Sequence, residues 1–114
     1  MADDNLELLR GTFDLLILRT LSWGPMHGLG VLRWIERVTE DRLRIEEGAL
    51  YPALHRLEQR GWIDAEWGWS ESNRKAKYYR LTPRGRRQLA VEISKWSRYT
   101  EAVGMLLGAR GGTA

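Results

Sequence analysis

The chain has 114 residues, of which 43% are hydrophobic, so it can bury one core and leaves too little sequence for a second full domain. It contains no cysteine, which excludes disulfides, thiolate chemistry and cysteine-bound zinc. The net charge of +3 is unevenly spread: residues 1–54 carry 6 Lys and Arg against 9 Asp and Glu, whereas residues 55–90 carry 9 against 4. Such a basic stretch is typical of a surface that binds a polyanion, although a simply solvated face has the same composition.

The first helix is predicted from about Asn5 to Trp23. One apolar stripe at helical spacing contains Leu9, Phe13, Leu16, Ile17 and Leu21. Three further leucines lie off that stripe, at positions 8, 15 and 18, so we expect the helix to be covered on more than one side. The whole apolar stretch is far shorter than a membrane span. The acidic start of MADDNLELLR is also unlike a signal peptide, and we expect a cytoplasmic protein with no membrane partner.

A second helix is predicted after Gly24-Pro25, from about His27 to Val38. Its inward positions are Val31, Leu32, Ile35 and Val38. Gly28 and Gly30 near its start favour close packing. A phosphate-binding loop is the less favoured interpretation, because no strand precedes these glycines and the G-x-G-x-x-G spacing is absent. The polar connector TEDRLRIEE has room for one short extended piece at residues 43–45.

The stretch EEGALYPALHRLEQRGWI predicts a third helix with two unlike faces. Its apolar face contains Leu50, Ala53, Leu54 and Leu57. Its opposite face contains Tyr51, Pro52, His55, Arg56 and Gln59. We place Pro52 close to the helix start, where few amides have an intrahelical partner, and expect Gly61 to end the helix.

The next stretch, WIDAEWGWSESNRKAKYYRLT, predicts a two-stranded hairpin with a long tip. Apolar and polar residues alternate on both sides of the polar break at residues 70–73. Arg74, Lys75 and Lys77 follow the tip, so we expect their positive charge to project from the domain. The simplest interpretation of Trp34, Trp62 and Trp67 is packing in the core or at its edge.

Thr82-Pro83 predicts the start of a last helix, with threonine as N-cap and proline at the first helical position, although Gly85 stands where a capping box would have Glu. A heptad stripe follows at Leu89, Ile93, Trp96, Thr100, Val103 and Leu107. A domain this small cannot cover that stripe, so we expect a second chain to do so, with folding back onto the chain's own core as the alternative. Residues 83–108 are thus the predicted dimerisation helix, and residues 109–114 a loose tail.

The order of these elements predicts the fold class mainly α (α+β). Three helices and a hairpin form a winged helix-turn-helix domain over residues 1–82, with a two-stranded wing, followed by the C-terminal dimerisation helix. In that architecture the third helix enters the major groove and the wing reaches a neighbouring phosphate or groove. Arg56 and Gln59 can then bond base edges, His55 can donate to base or phosphate, and Tyr51 with Pro52 can contact a thymine methyl group or a sugar.

Four sequence features together resemble the PadR family of bacterial transcriptional regulators: GTFDLLILRTLSWGPMHG, EEGALYPALHRLEQRGWI, RKAKYYRLTPRG and Trp96. The match covers about residues 8–107, and LYPALxRLE followed by KYYxLTxxG is specific in combination. The resemblance implies a homodimeric, usually repressive, protein that binds a partly palindromic operator in double-stranded DNA through its wing and third helix. The short chain is similar to the compact branch of the family, which has a single C-terminal helix.

The resemblance also implies an effector site. In compact members, a tryptophan at the place of Trp96 meets its twin across a central pore and sandwiches flat aromatic compounds, with Leu15 and Arg19 nearby. A ligand there would change the dimer angle and so the spacing of the two third helices. Plain interface packing by Trp96 is the alternative. The predicted dimer interface contains Leu8, Leu89, Ile93, Trp96, Val103 and Leu107.

Catalysis is not expected. His27 and His55 are the only histidines, and neither has carboxylate neighbours at metal-ligand spacing. The serines lack a nucleophile-elbow context, and no cofactor or metal is predicted. The alternative function from another class is a winged-helix protein-interaction module whose basic wing meets an acidic partner.

Overall fold

The computed structural model describes residues 11–109. The elements follow the order α1 Thr12–Leu21, β1 Met26–His27, α2 Gly28–Val38, α3 Glu47–Gln59, β2 Ile63–Trp69, β3 Lys75–Leu81 and α4 Pro83–Gly108. The predicted fold class, mainly α with a small β component, is confirmed. The part of the predicted first helix that precedes residue 11 lies outside the described residues.

The core is formed where α1, α2 and α3 pack together and the base of the hairpin closes over them. Its largest fully buried side chains are Ile17, Leu18, Leu21, Val31, Leu50, Leu54, Leu57 and Ile63. The inward positions predicted for α3 are all buried. Leu18 lies off the predicted stripe of α1 and is nevertheless fully buried, so the chain itself covers part of the second side of that helix.

Helix α2 is capped and closely packed at its start, and its last turn exposes an apolar side chain. His27 is the N-cap, and its Nδ1 accepts a hydrogen bond of 3.1 Å from the Gly30 amide. Gly28 is buried, and a Cβ atom there would lie 2.9 Å from the Tyr51 ring, which explains the close packing predicted for this glycine. The inward position predicted for Val38 is wrong: its side chain is 61% exposed in the last turn of α2.

The sheet has three strands, whereas the sequence predicted two. The short strand β1 pairs antiparallel with β3, placing Met26 opposite Tyr79 and His27 opposite Tyr78, so the strand order is β1-β3-β2. A two-residue strand gives no alternating pattern, because alternation needs about four residues to be recognised. This extra strand joins the start of α2 to the middle of β3.

Helix α3 begins and ends as its sequence suggests, but Pro52 lies deeper than predicted. It is the sixth residue of the helix, so its missing amide removes the bond to the Gly48 carbonyl, which is tolerated because both residues are exposed to water. Gly61 ends the helix with a φ of 74°. The Gly61 and Trp62 amides donate to the Glu58 and Leu57 carbonyls, the pattern of a Schellman motif.

The hairpin of β2 and β3 is the predicted wing. Its register pairs Ile63 with Leu81 at the base and Trp69 with Lys75 at the tip. Asn73 closes the tip with a φ of 59°, and its amide donates to the Ser70 carbonyl. The packing role predicted for Trp67 is wrong, since this side chain is 60% exposed. The inner end of the wing packs on the core through Ile63, whereas Trp67 and Trp69 nearer the tip are exposed.

The junction between the wing and α4 is closely packed around Thr82. Its Oγ1 accepts a hydrogen bond from the Gly85 amide at 3.0 Å and donates to the Gly61 carbonyl at 2.7 Å, so the predicted N-cap is confirmed. A Cβ atom on Gly85 would lie 1.9 Å from the Trp62 carbonyl oxygen. This approach explains why glycine occupies the place of a capping-box Glu.

We expect Gly85→Ala to lower the free energy of unfolding by about 3 kcal/mol, the upper end of the cost of overpacking, because the clash is with backbone rather than with a flexible side chain. Chemical denaturation followed by circular dichroism measures this change. Gly48→Ala is the matched control: a Cβ atom there meets nothing within 4 Å, so stability should stay the same or rise by up to about 1 kcal/mol. Equal stability of the two variants would contradict the packing argument.

Candidate nucleic-acid interface

The outer face of α3 is open to solvent. All five residues predicted on it are exposed: Tyr51, Pro52, His55, Arg56 and Gln59. They lie together because burial of the leucines at positions 50, 54 and 57 fixes the rotation of the helix. The face therefore combines ring and proline surfaces with hydrogen-bonding groups that suit base edges and phosphates.

One edge of this face forms ion pairs with α1. The Nη2 atom of Arg56 lies 2.6 Å from Oδ1 of Asp14, and Nη1 of Arg60 lies 3.6 Å from Oδ2 of the same carboxylate. Since both arginines are nearly half exposed, each pair stabilises the fold by only about 0.2–1 kcal/mol. Arg56 thus lies at the edge of the α3 face with its charge already partnered.

A groove of about 430 Å³ separates the start of α3 from the wing. Its walls come from α2, α3 and the hairpin, and the lining residues are His27, Gly28, Leu29, Tyr51, Trp67, Lys75, Ala76, Lys77 and Tyr79. Three predicted DNA-binding residues, Tyr51, Lys75 and Lys77, therefore share one concave surface. The groove joins the α3 face to the wing.

Lys77 lies inside this groove, whereas the sequence predicted that its charge projects from the domain. Its Nζ atom lies 3.2 Å from Oε1 of Glu58 and 5.5 Å from the centre of the Tyr79 ring. Burial raises the pKa of the Tyr79 hydroxyl above its ordinary value, an effect that the nearby Lys77 charge opposes. The buried Tyr79 ring therefore lies beneath the Lys77 ammonium group and lines the bottom of the groove.

Arg74 and Lys75 remain exposed at the outer end of the wing. The Nζ atom of Lys75 lies 5.4 Å from the centre of the Trp67 ring, close enough for a cation–π contact. Both Trp67 and Trp69 are exposed beside these charges. Neither tryptophan was predicted to lie in the DNA-binding surface, although the hairpin pattern pairs the stretch WGW with the basic stretch KAK.

A second cleft, of about 360 Å³, lies between α1 and α4. Its lining residues are Gly11, Thr12, Leu15, Glu92, Lys95, Trp96 and Tyr99. The Trp96 and Tyr99 rings are tilted against each other with centres 6.1 Å apart. Leu15 and Trp96 are thus brought together as the resemblance implies, but Arg19 is not among the lining residues: its guanidinium lies over the Trp23 ring at 4.9 Å.

The stripe predicted for the dimer interface divides into two parts. Leu89 is buried in the core of its own chain, so it has almost no surface to offer a partner. Beyond it, Ile93 is 42% and Leu107 is 79% exposed, with Trp96 also open and Val103 half-buried. Leu8 lies outside the described residues. The outer turns of α4 therefore carry an apolar surface without a cover among residues 11–109.

Residues 17–91 match the model of the Transcriptional regulator PadR-like family. A PadR family transcriptional regulator from Eggerthella lenta is 33% identical and superposes with a TM-score of 0.74, covering 89% of this chain and 86% of that chain. A transcriptional regulator from Clostridium thermocellum is 30% identical with a TM-score of 0.76, covering 83% and 92%. An uncharacterized protein of Lysinibacillus sphaericus is 29% identical over 101 residues, which are 89% of this chain and 93% of that protein.

Within residues 11–109, no helix combines the length and apolar character needed to cross a bilayer.

Proposed function

The chain belongs to the PadR-like family of transcriptional regulators, which regulate transcription by binding DNA and are not enzymes. On this premise we propose that it is a ligand-responsive repressor that acts as a homodimer on a partly palindromic operator. The observation that carries the proposal is the exposed face of α3, continuous with the groove beneath the wing.

In this proposal α3 enters the major groove of double-stranded DNA. His55 and Gln59 near the middle of the exposed face bond base edges, and Tyr51 with Pro52 contacts a thymine methyl group or a sugar. Arg56 acts from the flank, where a contact with DNA must compete with the carboxylate of Asp14. Sequence readout therefore depends mainly on the middle of the exposed face.

The wing supplies phosphate contacts in the same proposal. Arg74 and Lys75 are exposed and reach the backbone without losing an internal ion pair. Lys77 lies deeper, and a phosphate in the groove would replace Glu58 as its partner. Such contacts hold the protein in register on the duplex and carry no sequence information of their own.

A homodimer explains the apolar outer turns of α4. A second copy of the chain would cover Ile93, Trp96, Val103 and Leu107, and two α3 helices would then face two half-sites. Plain packing of Trp96 against its twin and binding of a flat aromatic effector between the two rings both fit this arrangement. We propose the effector role, because the cleft beside Trp96 is also lined by Leu15 and Tyr99.

The experiment that tests the function is selection of bound DNA from a random pool, with the mass of the complex determined on the enriched sequence. A two-fold symmetric sequence bound by two chains is expected. Failure to enrich any sequence would contradict the proposal and would favour the protein-interaction module. Repression is tested separately with a reporter placed behind the selected operator, where an increase in transcription would overturn the repressor role.

We expect Lys75→Ala to flatten the dependence of DNA affinity on salt by about one unit of log–log slope, because one phosphate contact and its released counterion are lost. Fluorescence anisotropy at several salt concentrations measures the slope. Arg98→Ala removes an exposed charge from the side of α4 opposite the apolar stripe and should leave the slope unchanged. An unaltered slope for Lys75→Ala would remove this lysine from the phosphate contacts.

We expect Ile93→Glu to convert the dimer into a monomer, since it places a charge in the apolar stripe of α4. Light scattering gives the mass directly. Val91→Glu is the matched control, because Val91 is similarly exposed at 47% but lies on the opposite side of the helix. If both variants kept the wild-type mass, the subunit contact would lie elsewhere.

We expect Trp96→Ala to abolish binding of flat aromatic compounds and to spare DNA affinity, because the cleft loses its largest ring. Titration with acridine orange in the absence of DNA measures ligand binding. Trp23→Ala removes an exposed tryptophan outside the cleft and should change neither property. Undiminished dye binding by Trp96→Ala would rule out the effector site at this residue.

A further inference from the structure

We propose that Trp67 and Trp69 contact the deoxyribose rings of the bound duplex, so that the wing binds DNA through apolar surface as well as through charge. The proposal rests on the DNA-binding function proposed above and adds two residues to its contacts. Three observations support the proposal: the exposure of the two side chains, their position on the wing and the charges around them.

Both rings are open to water despite their size. Trp67 is 60% and Trp69 is 69% exposed, although tryptophan contributes large apolar surfaces to cores and interfaces. Residues two apart on a strand point to the same side, so the two exposed rings lie on one face of the wing and together are called the tryptophan patch. Patches of this kind on soluble proteins mark contact sites more often than scattered single residues do.

The register of the wing places this patch beside the lysines. Trp67 is paired with Lys77 and Trp69 with Lys75 across the two strands. These four residues lie on the face that also carries Ile63 at the base of the hairpin, because every second residue of a strand points the same way. The face therefore continues from the core outward along the groove beneath α3.

The opposite face of the wing is unsuited to a polyanion. Arg80 lies 3.0 Å from Asp64 and 3.5 Å from Glu66, so its charge is taken up by two carboxylates. A phosphate chain is attracted to the lysine face and repelled by the carboxylate face. This difference selects DNA, rather than an uncharged apolar partner, as the occupant of the tryptophan patch.

The pairing of each tryptophan with a lysine on the neighbouring strand matches the chemistry of a nucleic-acid strand. Phosphates alternate with deoxyribose rings, and the apolar sugar surface is a partner for an aromatic ring when a neighbouring ammonium group holds the phosphate. The Lys75 ammonium group already lies over the Trp67 ring, so an ammonium group for the phosphate and an aromatic ring for the sugar lie next to each other. A phosphate contact releases counterions and weakens with salt, whereas a sugar contact releases none.

This difference provides the test. The variant Trp67→Thr/Trp69→Thr keeps residues that favour strands and should bind the selected operator about tenfold more weakly at every salt concentration, with an unchanged slope. Trp67→Tyr/Trp69→Tyr keeps aromatic faces and should recover most of the affinity. Trp23→Thr, which alters an exposed tryptophan away from the groove, should bind as the wild type does.

Three results would overturn the proposal. The first is wild-type affinity of the threonine double variant, with its circular dichroism spectrum intact. The second is a fall in its mass from dimer to monomer, which would assign the patch to a subunit contact. The third is failure of the tyrosine variant to recover affinity while it remains folded. If the wild-type chain binds no DNA at all, the proposed function fails before any tryptophan variant is made, so the two failures are distinguishable.

Discussion

The arrangement of the functional surfaces depends on the hydrogen bonds around Thr82. This residue bonds the Gly61 carbonyl through its side chain and the Trp62 carbonyl through its amide, and it caps α4 at the Gly85 amide. One threonine therefore joins the end of α3, the end of the wing and the start of α4. Because Gly85 lets α4 approach the Trp62 carbonyl, all three elements meet at one closely packed corner.

Much of this fold is predictable because its signals are local. The buried face of α3, the stop at Gly61 and the cap at Thr82 all follow from residues within one or two helical turns. The exposed surface of α3 is fixed in the same way, since burial of one face determines the other. The order of the elements along the chain, together with the family resemblance, added the expected use of that surface, which local patterns do not give.

The remaining features depend on residues that meet only in three dimensions. Asp14 and Arg56 are 42 positions apart, and Lys77 and Glu58 are 19 apart, so no periodicity predicts either pair. Strand β1 is too short to show alternation, and the exposure of Trp67 depends on which part of the wing lies against the helices. In each case the residue itself suggests a charge or an aromatic ring, but its contacts depend on how the helices and strands pack in three dimensions.

Helix α4 spans 26 residues, which is about 39 Å at 1.5 Å per residue, and its buried residues, Gly85 and Leu89, both lie near its start. Its direction is therefore set near its start, by the Thr82 corner and by the neighbouring helix α1. Each degree of tilt at the corner moves the far end by about 0.7 Å. A rotation of a few degrees at the start of α4 would therefore displace its other end by a few ångströms.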